Sequence, residues 1–278
     1  MKRIALFQFH RDWDICANRL QLLRAFNPGV EVYGLFGGEE ESLEGAKGAL
    51  GGDLAAVYYL RDRDSRWKWQ NTDLAVREWF RDFGHRVDFD VAHVLQWDLL
   101  FFDSLASAYR AVPHDALGLT GITTVEAIAD RWHWTLNEPH KTELVRLLEF
   151  VKAGYGYERP PRACLGPGYC LPRRFLEKYA EADVPELGHD ELRLPLFGEI
   201  LGCEIRDTGF YPRWFDAEDD RLFNANGDEI EDALIRRELA RSGGRRVFHP
   251  FRKVFEGPEV KALLERPATR DEAVSFRR

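Results

Sequence analysis

Methionine and cysteine are scarce in this chain. A single Met stands against 8 Trp, and aromatics reach 13% of 278 residues, so the bulky apolar side chains are mostly rings. Rings suit a lined cleft as well as a core. Four cysteines occur, Cys16, Cys164, Cys170 and Cys203, with no CxxC pair and no metal-finger spacing. That excludes a zinc ribbon and predicts reduced thiols in a cytoplasmic protein. Long apolar runs are missing too. No stretch reaches the ~18 residues of a membrane span. In "MKRIALFQFH" the apolar run stops after Phe7, too short for a signal-peptide core. Positive charge is in deficit: 39 Lys and Arg face 47 Asp and Glu, a net charge of −8. A broad nucleic-acid surface is therefore not expected. Local basic pairs, Arg173-Arg174 and Arg252-Lys253, still suit phosphate. No Walker loop, GxGxxG, GxSxG or HExxH is present.

What is present is strand–helix alternation. "RIALFQF" reads as a buried strand and "DICANRLQLLRAF" as a helix, with Asp12 or Asp14 as cap and Pro28-Gly29 as stop. "VEVYGLF" begins a second strand, and such a βαβ unit predicts parallel pairing. "LAAVYYL" is a third strand, and "RDRDSRWKWQ" a polar, aromatic loop after it. "NTDLAVREWFRDFG" carries helical periodicity ending at Gly84. "HVLQWDLLFFDSL" follows as a fourth strand that turns polar near Gln96. The order predicts an α/β three-layer sandwich with a mostly parallel central sheet, in one domain. In the second half, "DALGLTGI" reads as a strand and residues 124–154 as largely helical. "ACLGPGYCLPRRFLEKY" reads as a strand, a glycine turn and a helix, and "DELRLPLFGEILGCEIRDTGF" as a helix and a strand despite Pro195.

In open α/β sheets, ligands bind at the carboxyl ends of the strands. Those ends carry Phe9, His10 and Arg11, then Gly37, where backbone approaches a ligand closely, then Gln96, Trp97 and Asp98. This strand-one start, the short motif after strand four and the acidic pair Asp190-Glu191 about ninety residues later resemble glycosyltransferases of the GT-A fold. That resemblance divides the chain into a nucleotide-binding half (1–105), an acceptor half (106–246) and a C-terminal extension (247–278). It implies a nucleotide-diphosphate sugar as donor and a carbohydrate or other hydroxyl acceptor. Its Asp-x-Asp motif, which holds a divalent cation (Mn2+ or Mg2+), falls on Gln96-Trp97-Asp98, so the first acid is an amide here. Asp98, with His249 from "VFHPFRKVF", is the implied metal set, and Lys253 or Arg252 would meet the diphosphate. Trp67 or Trp69 would stack on the base, and Lys68 or Asn71 would reach ribose or phosphate. "WHW" at Trp132 to Trp134 would stack on an acceptor sugar or pack in the core. Asp190 or Glu191 would act as base; the plainer expectation is that Asp190 caps a helix and Glu191 follows in its first turn. A sugar nucleotidyltransferase would carry a glycine-rich loop after strand one, and "HRDWDICANR" has no glycine. A catalytically silent nucleotide or carbohydrate binder fits the amide at Gln96.

Overall fold

The computed structural model describes residues 1–225, 227–257 and 260. The first half alternates strand and helix: β1 (Arg3–Phe9), α1 (Trp13–Phe26), β2 (Glu31–Phe36), α2 (Leu43–Leu50), β3 (Ala56–Tyr59), α3 (Ser65–Gln70), α4 (Thr72–Asp82) and β4 (Val91–Gln96). Then come β5 (Leu100–Phe101), α5 (Leu105–Ala108), β6 (Leu117–Thr124), α6 (Val125–Ile128), α7 (His133–Leu136) and α8 (His140–Tyr155). The rest is β7 (Arg162–Pro172), α9 (Arg173–Glu181), α10 (Asp190–Ile200), β8 (Ile205–Asp207), α11 (Ala217–Asp220), α12 (Asp232–Ala240) and β9 (Val247–Phe248).

A seven-stranded sheet in the order β3-β2-β1-β4-β7-β6-β8 runs through both halves. β1 to β4 are parallel throughout, β7 is antiparallel to β4 and β6, and β8 is parallel to β6. The mostly parallel α/β sandwich expected from the sequence is what the chain forms. Along β1 the side chains alternate between two cores. Ile4 and Leu6 pack with Trp79 of α4, Phe175 of α9 and Phe197 of α10. Ala5, Phe7 and Phe9 pack with Leu20 of α1 and Leu50 of α2. Helices therefore cover both faces, and this strand is apolar on both.

Two local readings are corrected. Residues 61–70 are not all loop: Asp64 accepts from the Trp67 N–H at 2.7 Å and caps α3. The glycine turn expected in 163–172 is instead one unbroken strand. Gly168 takes φ +76° inside it, and the pairing with β6 slips in register. Neighbouring strands on both sides hold the chain extended, so the glycine makes a bulge rather than a reversal. The displaced Gly168 carbonyl accepts from Tyr109 Oη at 3.0 Å and Thr120 Oγ1 at 3.2 Å.

Pro195 sits inside α10, where it cannot donate to the carbonyl four residues earlier. That carbonyl, of Glu191, lies 3.6 Å from the Cys164 thiol instead. The 247–255 segment pairs β9 with β5, and Arg19 grips it through the carbonyls of Phe251 and Lys253 at 2.7 and 2.8 Å. Of the C-terminal extension expected over 247–278, residues 258, 259 and 261–278 lie outside the described residues. Among the described residues, no helix is long and apolar enough to cross a membrane.

Candidate functional site

A cavity of about 900 Å³ opens at the carboxyl ends of β1, β2 and β4. At the first strand, the Gly37 N–H bonds the Phe9 carbonyl at 2.8 Å and the Trp97 N–H bonds the Gln8 carbonyl at 2.9 Å, which draws three strand ends together. Any side chain at Gly38 would begin 2.4 Å from the Phe36 ring, so only glycine fits. The His10 ring meets Trp97 edge-on at 5.4 Å, and the Arg11 guanidinium lies 5.1 Å from the Trp97 ring. Burial, helped by the Arg11 charge, lowers the pKa of His10.

Asp98 follows β4 and is buried. Its Oδ1 lies 3.7 Å from His249 Nε2, and its Oδ2 takes a bond from Arg252 Nε at 3.3 Å. His249 Nδ1 sits 3.2 Å from the Asn224 carbonyl, which can only accept, so Nδ1 carries the hydrogen. Burial lowers the pKa of His249, and the neutral ring then turns an Nε2 lone pair toward a carboxylate oxygen. Two acceptors face one another, a donor set that fits a cation, with a carbonyl behind the imidazole fixing its tautomer. Among the described residues no group of three or more His, Cys, Asp or Glu side chains could hold a metal ion, so this pair supplies two ligands at most.

The acidic segment meets the same cavity. His189, not Asp190, is the N-cap of α10. Glu191 Oε1 accepts from the Gly166 N–H at 2.9 Å, and Oε2 from Trp134 Nε1 at 2.6 Å. Burial raises the pKa of Glu191, with Asp190 adding to it; the His189 charge and these two donors oppose the rise. Gly166 stands where three polar groups converge. A Cβ there would lie 3.6 Å from Gln96 Nε2, 3.7 Å from Glu191 Oε1 and 3.8 Å from Asp190 Oδ1. The end of β4 and the start of α10 thus share one corner.

The wall beside this corner is aromatic. Trp69 is 54% exposed and packs 6.2 Å from Trp134 and 5.7 Å from His189, ring to ring. Phe215 also lines the cavity, with φ +56°, a region costly for a ring-bearing residue. Its N–H to Tyr211 Oη at 2.7 Å holds it there.

Of the residues expected from the sequence, Phe9, His10, Arg11, Gly37, Trp69, Gln96, Trp97, Asp98, Asp190, Glu191 and His249 line this one cavity. Four others are committed elsewhere. Asn71 is buried, bonded to the Trp67 carbonyl and to Arg193. Lys68 is buried with Nζ on the Gly38 carbonyl and 3.9 Å from the Tyr59 ring centre. Lys253 turns outward, 3.9 Å from Glu229, while its neighbour Arg252 faces Asp98. Trp67 is held by Glu186 through its Nε1 at 3.0 Å. His189, Phe215 and Gln8 line the cavity as well, and sequence reasoning does not reach them. His189 has a signal in its adjacency to two acids; a positive φ at Phe215 has none.

No protein-family model matches the chain, and no curated protein does. Among solved structures, a galactosyltransferase, LgtC, in complex with donor and acceptor sugar analogues is 11% identical over 79% of this chain and 74% of its own, with a TM-score of 0.40. The bifunctional glycosyltransferase WbbM is 8% identical over 89% of this chain, TM-score 0.46, and the chain spans 45% of its length. Mouse xyloside xylosyltransferase 1 is 14% identical over 74% of this chain and 85% of its own, TM-score 0.38. Likeness at this level carries no weight for activity.

Proposed function

We propose that this protein is a glycosyltransferase that moves a sugar from a nucleotide-diphosphate sugar to a hydroxyl acceptor, with inversion at the anomeric carbon. One observation carries the reading. Four segments far apart in sequence, 9–11, 96–98, 189–191 and 249–252, converge on a single cavity at the carboxyl edge of a parallel sheet. One end holds Asp98, His249 and Arg252; the corner at Gly166 gathers Gln96, Asp190 and Glu191.

In this reading Asp98 and His249 hold a divalent cation, and a bound cation supplies charge neutralisation for a diphosphate leaving group. Arg252, fixed by Asp98 and by the Gly227 carbonyl at 3.0 Å from its Nη1, and Arg11, stacked over Trp97, face the same anion. Fixed guanidinium groups serve departing phosphate better than mobile lysines. His10 and the backbone at Gly37 border the nucleoside end. The α10 start receives the acceptor and supplies the base for its hydroxyl proton. Of the two acids there, Glu191 has both oxygens engaged by donors, while Asp190 Oδ1 lies 2.6 Å from His189 Nδ1.

Thermal shift with a panel of nucleoside diphosphates, with and without manganese, tests the reading. Stabilisation by at least one of them, larger with manganese and reduced in Asp98→Ala, is the expected result. No shift with any nucleotide sinks the donor assignment. A shift with no turnover of any nucleotide sugar identifies a silent binder instead.

A further inference from the structure

His189, the N-cap of α10, lies at the junction of the two acids. Its ring is buried and lies flat on Trp134, 4.0 Å between centroids and 20° between planes. Trp69 meets the same ring edge-on at 5.7 Å. Nδ1 has two neighbours. The Glu191 N–H approaches it at 3.3 Å and Asp190 Oδ1 at 2.6 Å. The two contacts demand opposite tautomers. A lone pair on Nδ1 would face the carboxylate at contact distance, two acceptors against each other, so the shorter contact decides and Nδ1 carries hydrogen. The geometry is bent, because neighbouring residues cannot bring the N–H into line, and Asp190 Oδ1 has no aligned donor. The contact is therefore chiefly one of charge. Nε2 is the remaining atom, buried with no hydrogen-bond partner, in a residue that lines the cavity. Leaving such an atom unpaired costs about 1–3 kcal/mol, so a buried nitrogen without a partner calls for a reason.

We propose that His189, held by Asp190, takes the proton from the acceptor hydroxyl, so that the segment works as an imidazole–carboxylate dyad; this rests on the glycosyl-transfer reading above. The acceptor O–H gives its proton to Nε2. The electron pair left on oxygen forms the new bond to the anomeric carbon. The bond from that carbon to the diphosphate breaks, and its pair leaves with the diphosphate. The imidazolium stands between Asp190 and the Trp134 face, both of which favour a cation, and then releases the proton to solvent. Asp190 is a positioning residue and does not change protonation state. Glu191 is fixed by its two donors and shapes the corner. The charged and titratable groups facing the imidazole are Asp190, Glu191 and Arg193 on α10 and His140 on α8. Burial works against protonation here, but the two carboxylates outweigh it, and the His189 pKa is raised.

The test uses the full chain, with donor binding measured by calorimetry and turnover followed across pH. His189→Gln is expected to lower kcat by at least about 100-fold while donor affinity stays within about twofold. Asp190→Asn is expected to move the acid limb of the kcat profile to lower pH, since the imidazole loses its raising partner. A His189→Gln protein that keeps kcat and the same acid limb overturns the dyad. Nitrogen NMR of the labelled wild type gives a second readout, free of any folding failure of the variant. A neutral ring with hydrogen on Nδ1, titrating at Nε2, supports the proposal; a neutral ring with hydrogen on Nε2 overturns it. Failure of any nucleotide sugar to bind the wild type is failure of the glycosyl-transfer reading, and the NMR titration still decides the dyad.

Discussion

Arg193 and Asp73 form a two-pronged ion pair with neither side chain exposed, at 2.6 Å from Nη2 to Oδ1 and 2.9 Å from Nε to Oδ2. The remaining guanidinium hydrogens go to Asn71 Oδ1 at 2.8 Å and to the carbonyls of Leu187 and Gly188 at 3.0 and 2.9 Å. Tyr179 Oη adds a 2.6 Å bond to Asp73. The pair ties the segment just before the dyad to the start of α4. Removing one partner strands the other charge in the core, so Asp73→Asn is expected to cost about 3–5 kcal/mol. Chemical denaturation measures it, and a loss under about 1 kcal/mol would refute a fully committed pair.

The same pair fixes a pH dependence. Burial pushes the Asp73 pKa up, but the Arg193 charge and its hydrogen bonds outweigh that and hold it below the usual carboxylate value. An acid lowered on folding stabilises above its unfolded pKa, about 3.9, and the contribution fades as pH falls through the lower folded value. Wild-type stability should therefore drop below about pH 4, while Asp73→Asn, already without the contribution, should show a shallower fall over the same range.

Gln96 poses the complementary question. The family resemblance expects an acid, yet the amide sits in the corner of Asp190 and Glu191. A carboxylate there would be a third negative charge in a buried group, and like charges raise one another's pKa. Gln96→Glu, nearly the same shape, is expected to match the wild type near or below about pH 4 and to be destabilised near pH 8. The sign follows from a raised folded-state pKa. The penalty appears as pH climbs past the unfolded value, about 4.3, and amounts to about 1.4 kcal/mol for each tenfold weakening of the acid on folding. Equal Tm differences at both pH values would remove electrostatics as the reason for the amide.

At the other end, His249→Gln is expected to abolish the manganese-dependent part of nucleoside-diphosphate stabilisation and to keep the metal-independent part, which Arg11 and Arg252 supply. A ligand at a hundred times its Kd stabilises by about 2.7 kcal/mol, which a melting experiment resolves. A manganese increment unchanged in the variant would show that His249 is a packed histidine.

How much of this is legible in the sequence follows the range of the signal. β1, α1, β2 and α4 show because period and punctuation are local. The α3 cap does not, since a polar, aromatic stretch looks the same as loop until Asp64 is seen folding back on Trp67. Gly168 reads as a turn because flanking strands, absent from any window, decide between turn and bulge. Asp98 and His249 are legible only through resemblance, being 151 residues apart. Lys253 and Arg252 illustrate the limit: neighbours on an extended segment face opposite ways, and only the contacts with Glu229 and Asp98 tell which points inward. His189 stays hidden because the sequence places the cap at Asp190, one residue along.

Trp69 offers the cleanest separation of binding from stability. It is 54% exposed, so Trp69→Ala should cost no more than half of the roughly 3–5 kcal/mol that a fully buried ring loses. Yet its ring borders the cavity beside His189 and Trp134, at the end where the acceptor is proposed to enter. Losing one aromatic face of about 0.5–1.5 kcal/mol predicts an acceptor KM higher by about two- to twelvefold, with donor KM unchanged. A ring stacked on the nucleotide base, as the resemblance implies, predicts the reverse. A side-by-side measurement of the two KM values in Trp69→Ala therefore assigns the ring: a donor-only effect moves Trp69 to the nucleotide end, and an acceptor-only effect keeps it on the wall beside the dyad.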